Sequence, residues 1–355
     1  MKNIIILLIL VIMPCMFDMG ITDIIYALIV IVTILYHTKL KIPNTSYVNA
    51  ILLIIISALF RINQYSILLF KDIGLMLIGI LPMLYNAKFK INISLYNKLI
   101  CAAFFLIVGS KIFDINLSIN AFLLSNTGIE LGTFAYLFSL LAIFWVGKNN
   151  KWVAINIFLT ILSGKRIAIL AIFFCVILAY IIGNNKKLVS TNIKIMLFLL
   201  PTTYLIFSYL LTQGYFDDII YYYTGLSTDA FTMGRQQLYT AIFNKLNSFS
   251  LWGIGPGNSV DVVIAAKYGD TRMHNDFLKI YSENGAIIYC LFFYLLLKKL
   301  EVRQIPTLLM IFAIFMTTNS LIYSLHLFIY SIFLYPNRYI IIPPPKSCIK
   351  HKSYE

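Results

Sequence analysis

The residues from Gly234 to Gly285 read GRQQLYTAIFNKLNSFSLWGIGPGNSVDVVIAAKYGDTRMHNDFLKIYSENG. This is the one long polar segment of the chain, and apolar runs flank it on both sides. We interpret it as part of a large loop held at one face of a membrane, where polar chemistry can take place beside lipid. The remainder of the chain then serves as the scaffold that holds this loop.

The composition indicates an integral membrane protein. Of 355 residues, 60% are hydrophobic and 12% are charged, whereas soluble domains carry about 25% charged residues. Helices are expected, because backbone groups in lipid must be satisfied internally and the alternating strands of a barrel are absent from the sequence. The five cysteines are scattered and predict no disulfide framework. Adjacent Asp217 and Asp218 have no third ligand nearby in sequence, so no metal site is predicted.

Hydropathy predicts about twelve transmembrane helices, since roughly 20 apolar residues are needed to cross the hydrocarbon core. The large loop, residues 212–284, then lies between helices 9 and 10. Residues 1–211 hold helices 1 to 9, residues 285–335 hold helices 10 to 12, and residues 336–355 form a tail. The apolar runs lie near 3–17, 21–36, 47–60, 66–85, 95–113, 131–147, 152–163, 167–182, 195–211, 285–297, 306–318 and 320–335.

The distribution of lysine and arginine predicts the orientation of these helices. If the N-terminus is cytoplasmic, basic residues such as Lys39, Lys148 and Lys298 fall in nearly every cytoplasmic connection, and most acidic residues fall outside. Both termini are therefore predicted to be cytoplasmic, and the large loop is predicted to lie outside. This dispersed pattern also explains the net charge of +14 without a nucleic-acid partner.

The few basic residues on the predicted outer face suggest an anion site. In Ser163–Arg166, the cations of Lys165 and Arg166 either snorkel to lipid headgroups or bind phosphate oxygens. Arg235 opens a stretch, 236–246, whose apolar residues recur at helical spacing, which predicts a helix along the membrane surface. By itself Arg235 is an ordinary solvated residue. Close to Arg166 it would complete a clamp for a diphosphate.

His274 is the one histidine that lies amid polar residues of the predicted outer loop. An imidazole, with a pKa near about 6.5, is the usual proton acceptor at neutral pH; a hydrogen-bonded structural histidine is the alternative. Ahead of it, Gly253, Gly255 and Gly257 permit tight turns and close backbone approach. Their spacing is not the dinucleotide fingerprint, because no strand precedes them.

These motifs, in this order, resemble the O-antigen polymerase and O-antigen ligase superfamily of bacterial envelope glycosyltransferases. Lys165 departs from the family pattern, in which a serine is common at that position. The resemblance implies an all-α, GT-C-like membrane fold that transfers glycan from undecaprenyl diphosphate and uses no metal or other cofactor. It rests on Ser163–Arg166, Gly234-Arg235, Trp252–Gly257, His274–Leu278 and Glu283–Gly285.

The resemblance also implies the roles of the site residues. The predicted catalytic residues are Arg166 and Arg235, which would stabilise the departing diphosphate, and His274, which would take the proton of the attacking sugar hydroxyl. A single displacement of this kind inverts the anomeric centre. The predicted substrate contacts are Arg272, Lys165, Asn275, Asp276 and Glu283.

The leading hypothesis is an O-antigen polymerase of the bacterial inner membrane whose active site faces the periplasm. Its expected partners are a lipid-linked oligosaccharide donor and acceptor, the bilayer, and a protein that regulates chain length. The alternatives are the ligase that transfers glycan to lipid A core, and a polymerase of capsule or exopolysaccharide. A flippase for lipid-linked oligosaccharides is the alternative of another class, although it would place its charges along a central cavity and have short outer loops.

Overall fold

The computed structural model describes residues 46–60, 68–84, 90–110, 131–246, 250–266, 273–318, 321 and 324–341. Two of the predicted helices, at 3–17 and 21–36, and residues 342–355 of the predicted tail lie outside the described residues. The helices are α1 Ser46–Leu59, α2 Leu68–Leu84, α3 Ile93–Ser110, α4 Gly132–Trp145, α5 Asn150–Leu162, α6 Arg166–Ile182, α7 Thr191–Thr212, α8 Asp217–Thr224, α9 Thr228–Phe231, α10 Arg235–Leu246, α11 Asn258–Ala265, α12 Asp276–Leu297, α13 Ile305–Phe315, α14 Ser324–Leu334 and α15 Pro336–Tyr339. A 3₁₀ turn, Val302–Gln304, precedes α13, and the short strands β1 Ile91–Asn92 and β2 Ile340–Ile341 form a parallel pair.

Each predicted apolar run from residue 47 onward corresponds to a helix. Two of the described helices, α7 and α12, are long and apolar enough to cross a membrane. The mostly helical fold and these two helices agree with the predicted all-α membrane class. The count of about twelve spans stays a prediction, because the other apolar helices are shorter than the roughly 20 residues that a perpendicular crossing needs.

The centre of the bundle is α4, whose residues from Thr133 to Trp145 are all buried. A helix that is apolar on every side belongs in a core, because it has no face to present to water. The helices α5, α6 and α13 pack against α4, while α12 packs along α1 and α14 packs along α2. The helix that carries the predicted motif at 276–285 is thus held by a scaffold helix from the N-terminal part of the chain.

The ends of the helices gather at two opposite ends of the bundle. At one end, Val189 N donates to Leu300 O (2.9 Å) and Lys299 N donates to Ser46 Oγ (3.1 Å). Several of the basic connections predicted to face the cytoplasm lie there. The 13-residue helix α5 and the 17-residue helix α6 connect this end with the other. At that other end, Leu131 N donates to Ser163 O (3.3 Å).

The predicted outer loop, residues 212–284, is largely helical. It contains α8 to α11 and the first turns of α12, and α10 coincides with the surface helix that the sequence predicts. Gln236 Nε2 donates to Leu211 O (3.0 Å), which fixes α10 to the end of α7. The predicted boundary at residue 285 falls at Gly285, whose φ of 79° and ψ of 175° interrupt α12.

Candidate functional site

The glycine turn of the outer segment pairs with the break in α12. Ile254 N donates to Ser282 O (2.7 Å), and Gly255 N donates to Glu283 O (3.1 Å). These carbonyls are available because Gly285 interrupts the helix: the amides four residues on, those of Ala286 and Ile287, donate instead to Ser250 O (3.1 Å) and Leu251 O (3.5 Å). The turn at 253–257 is thereby held against the first part of α12, about two turns of helix beyond the predicted base, His274.

Two glycines make this pairing sterically possible. A Cβ atom on Gly253 would lie 2.6 Å from Ser282 O, and one on Gly285 would lie 2.2 Å from Leu251 O. Both residues also have a positive φ, 71° and 79°, which favours glycine. The close backbone approach that the sequence predicts for this motif is therefore real at Gly253, and Gly285 is its partner.

We expect Gly285→Ala to lower the free energy of unfolding by about 3 kcal/mol or more, because the new methyl group meets backbone that cannot move aside. Gly74→Ala is the matched control, since Gly74 lies within α2 and a Cβ there meets no atom within 4 Å. Thermal unfolding of each purified variant in detergent measures the change in stability. Equal stability of the two variants would show that the two backbones do not approach as described.

His274 is positioned by the three residues that follow it. It is half-buried and has a φ of 51°, which is uncommon for a residue other than glycine. Asn275 caps α12 by accepting from Leu278 N (3.0 Å), and Asp276 Oδ2 accepts from Leu321 N (3.2 Å). Phe277 is buried, and its ring centroid lies 5.5 Å from that of Phe312.

These contacts bear on the predicted substrate residues. Asn275 and Asp276 are fully buried and have structural partners, so they fix the backbone on which His274 stands. Their predicted role in binding substrate stays a prediction. Arg272, the third predicted cation, lies outside the described residues.

Arg166 contacts the turn that leads into α10. Its Nη2 lies 2.8 Å from Met233 Sδ, and Arg235 is the first residue of α10. Ser163, the first residue after α5, is buried and donates from Oγ to Leu159 O (2.7 Å), which anchors the predicted anion turn on α5. Lys165 is half-buried and directly precedes α6. The two predicted catalytic arginines therefore lie on segments that touch.

Tyr239 connects the arginines to the histidine turn. It lies one helical turn after Arg235 on α10, which packs against both α7 and α12, and its phenol is close to Tyr204 on α7 and to Asn275, the cap of α12. Burial raises the pKa of the Tyr239 phenol, while the Arg235 guanidinium and the contacts with Asn275 and Tyr204 act in the opposite direction. The segments that carry Arg166, Arg235 and His274 thus form one continuous set of contacts. Tyr239 was not predicted as a site residue, because a tyrosine at an inward helical position is typical of a core.

A buried charged cluster lies directly behind this region. Lys279 Nζ is 3.2 Å from Asp72 Oδ2 and 2.7 Å from Glu283 Oε1, and Ser259 Oγ also donates to Glu283 Oε1. Lys279 is only 6% exposed, because its ammonium is drawn inward by two carboxylates. Glu283, predicted to bind substrate, has its Oε1 occupied by Lys279 and Ser259.

No protein-family model, curated protein or solved structure matches this chain. The resemblance to the O-antigen superfamily therefore rests on the short sequence motifs and their order. Among the residues that the structure describes, no group of three His, Cys, Asp or Glu side chains is placed to hold a metal ion.

Proposed function

We propose that this chain is a membrane glycosyltransferase that polymerises the lipid-linked repeat units of a bacterial surface polysaccharide of the O-antigen type. The observation that carries the proposal is the contact among the segments of Arg166, Arg235 and His274, which are far apart in sequence. Two permanent cations and one imidazole on contacting segments suit a reaction in which an anion departs and a hydroxyl loses its proton.

In the proposed reaction, a hydroxyl of the lipid-linked acceptor attacks the anomeric carbon of the donor glycan. The bond from that carbon to the diphosphate oxygen breaks, and undecaprenyl diphosphate leaves with the bonding electrons. Arg166 and Arg235 stabilise the charge that develops on the leaving group, and His274 takes the hydroxyl proton. The product is a glycan that is longer by the transferred segment and inverted at the new linkage.

An apolar cleft beside α10 is suited to bind the lipid tail of such a donor. It has a volume of about 810 Å³ and lies between α7, α10 and α12. Phe198, Leu205 and Tyr289 contribute apolar walls, while Gln213 and Asn244 are polar residues of its lining. A hydrocarbon chain with a polar head is the chemistry that such a lining favours, and α10 also carries Arg235.

Two close alternatives use the same donor, namely the ligase that transfers glycan to lipid A core and a polymerase of capsule or exopolysaccharide. Deleting the gene and analysing the lipopolysaccharide by gel separates them. Core with a single repeat unit indicates the polymerase, whereas bare core with accumulated lipid-linked polymer indicates the ligase. Unchanged lipopolysaccharide together with loss of the capsule indicates the polymerase of capsule or exopolysaccharide.

We expect Arg166→Lys and Arg235→Lys to weaken donor binding and to lower the rate together, because lysine keeps the charge but loses the bidentate fork that matches a diphosphate. Arg338→Lys, the same change at the opposite end of the bundle in α15, is the matched control. Donor binding and polymer formation by purified variants are the measurements. Full activity with lysine at both positions would exclude bidentate recognition.

A further inference from the structure

A second polar cavity lies at the opposite end of the bundle from the candidate site. Its volume is about 390 Å³, and it opens where the α4–α5 connection, the end of α6, the 3₁₀ turn and α15 meet. These elements come from four separate stretches of the chain. The polar side chains in its lining include Lys148, Tyr180, Asn184, Arg303, Gln304 and Asn337.

Positive charge predominates in this cavity. Arg303 Nε lies 2.6 Å from Glu301 Oε2, and its Nη1 donates to Asn184 Oδ1 (3.3 Å). Lys148 Nζ donates to Phe144 O and lies 3.9 Å from the centroid of the Phe144 ring. Among the described residues, Glu301 is the one carboxylate that pairs with either cation, so one positive charge remains in excess.

The two cations repel each other in partly shielded surroundings. Lys148 as a residue is exposed, but its ammonium is folded back over the Phe144 ring. Burial of this ammonium, and then the nearby Arg303 guanidinium, lower the pKa of Lys148 to about 8. An anion between the two groups would relieve both effects, because it would solvate the ammonium and offset the repulsion.

We propose that this cavity binds a phosphate group through Lys148 and Arg303. A guanidinium and an ammonium are the donors that phosphate oxygens favour, and Tyr180 and Asn337 line the same space. The cavity is several times larger than the roughly 30 Å³ that one water occupies, so it accommodates a phosphate ester with a small head. The phosphate belongs either to an anionic lipid at the membrane surface or to a soluble phosphate ester. This site is independent of the proposed glycosyl transfer.

The test uses purified full-length protein in detergent. Inorganic phosphate, glycerol phosphate and micelles doped with phosphatidylglycerol or phosphatidylcholine are titrated, and binding is followed by thermal stabilisation and by native mass spectrometry. Stabilisation by phosphatidylglycerol alone assigns the site to a lipid headgroup. Stabilisation by glycerol phosphate or inorganic phosphate as well assigns it to a soluble ester.

The variant Lys148→Ala leaves the Arg303–Glu301 pair intact and should weaken binding about tenfold or more, the effect of losing one charge-assisted hydrogen bond. Arg303→Gln should weaken phosphate binding more than Lys148→Ala does. Lys194→Ala is the matched control, because Lys194 lies at the same end of the bundle and donates to Lys298 O (3.0 Å). No binding by the wild-type protein, or equal loss in the control, would overturn the proposal.

Discussion

Replacing His274 by alanine is expected to reduce polymer formation by roughly 100-fold or more while donor binding stays close to that of the wild type, as general-base contributions are typically of that size. The imidazole would act on the acceptor hydroxyl, whereas the arginines would bind the diphosphate of the donor. Its loss should therefore slow the chemical step and leave the donor in place. His274 is half-buried, and the cap formed by Asn275 fixes the backbone beside it.

The measurement is single-turnover glycan transfer by purified His274→Ala protein, together with the dissociation constant of the lipid-linked donor. Lys245→Ala, on the last turn of α10, is the control for a general effect of changing this segment. Normal polymer at wild-type protein abundance would show that His274 is not the base. Asp276 and Glu283 are the carboxylates to test next, although both are buried and hydrogen-bonded.

The second large effect concerns stability and the charged cluster behind the site. We expect Lys279→Met to lower the free energy of unfolding by about 3–5 kcal/mol, because removing one member of a buried ionic group leaves its partners uncompensated. Here the partners are Asp72 and Glu283, two carboxylates whose oxygens both lie within 3.2 Å of the ammonium. Without the ammonium they would repel each other inside the bundle.

Unfolding of the purified variants in detergent measures this effect. Lys298→Met is the matched control, because Lys298 is exposed at the far end of α12 and should change stability by no more than about 0.5 kcal/mol. The triple variant Lys279→Met, Asp72→Asn, Glu283→Gln should recover part of the loss, since it removes the unpaired charges. A single variant as stable as the control would show that the cluster does not form.

The positions of the helices could be predicted from the sequence because a long apolar run has few alternatives in a membrane. The packing partners of those helices could not. The pairing of α12 with α1, which are more than 200 residues apart, depends on side-chain fit that periodicity does not record. The boundary at Gly285 was predicted, but residues 276–284, which were predicted as loop, form the first turns of α12.

The motifs of the candidate site were predicted from the sequence, but the contacts that support them were not. The resemblance suggested Arg166, Arg235 and His274, and the structure brings their segments into contact. The burial of Lys279 was not predicted, because charge in a polar segment normally indicates solvent. Its i, i+4 spacing to Glu283, together with an acid at Asp72 inside an apolar run, were the signals that could have revealed the cluster.

The most direct test of the proposed function is extension of a lipid-linked repeat unit by the purified protein. Wild-type protein in detergent, mixed with a verified undecaprenyl-diphosphate-linked oligosaccharide and a metal chelator, should yield a ladder of longer lipid-linked glycans and release undecaprenyl diphosphate. Detergent removes the membrane that a flippase needs, so the ladder can arise only from glycosyl transfer. Folded protein that leaves this substrate unchanged, with or without metal ions, would contradict the proposal.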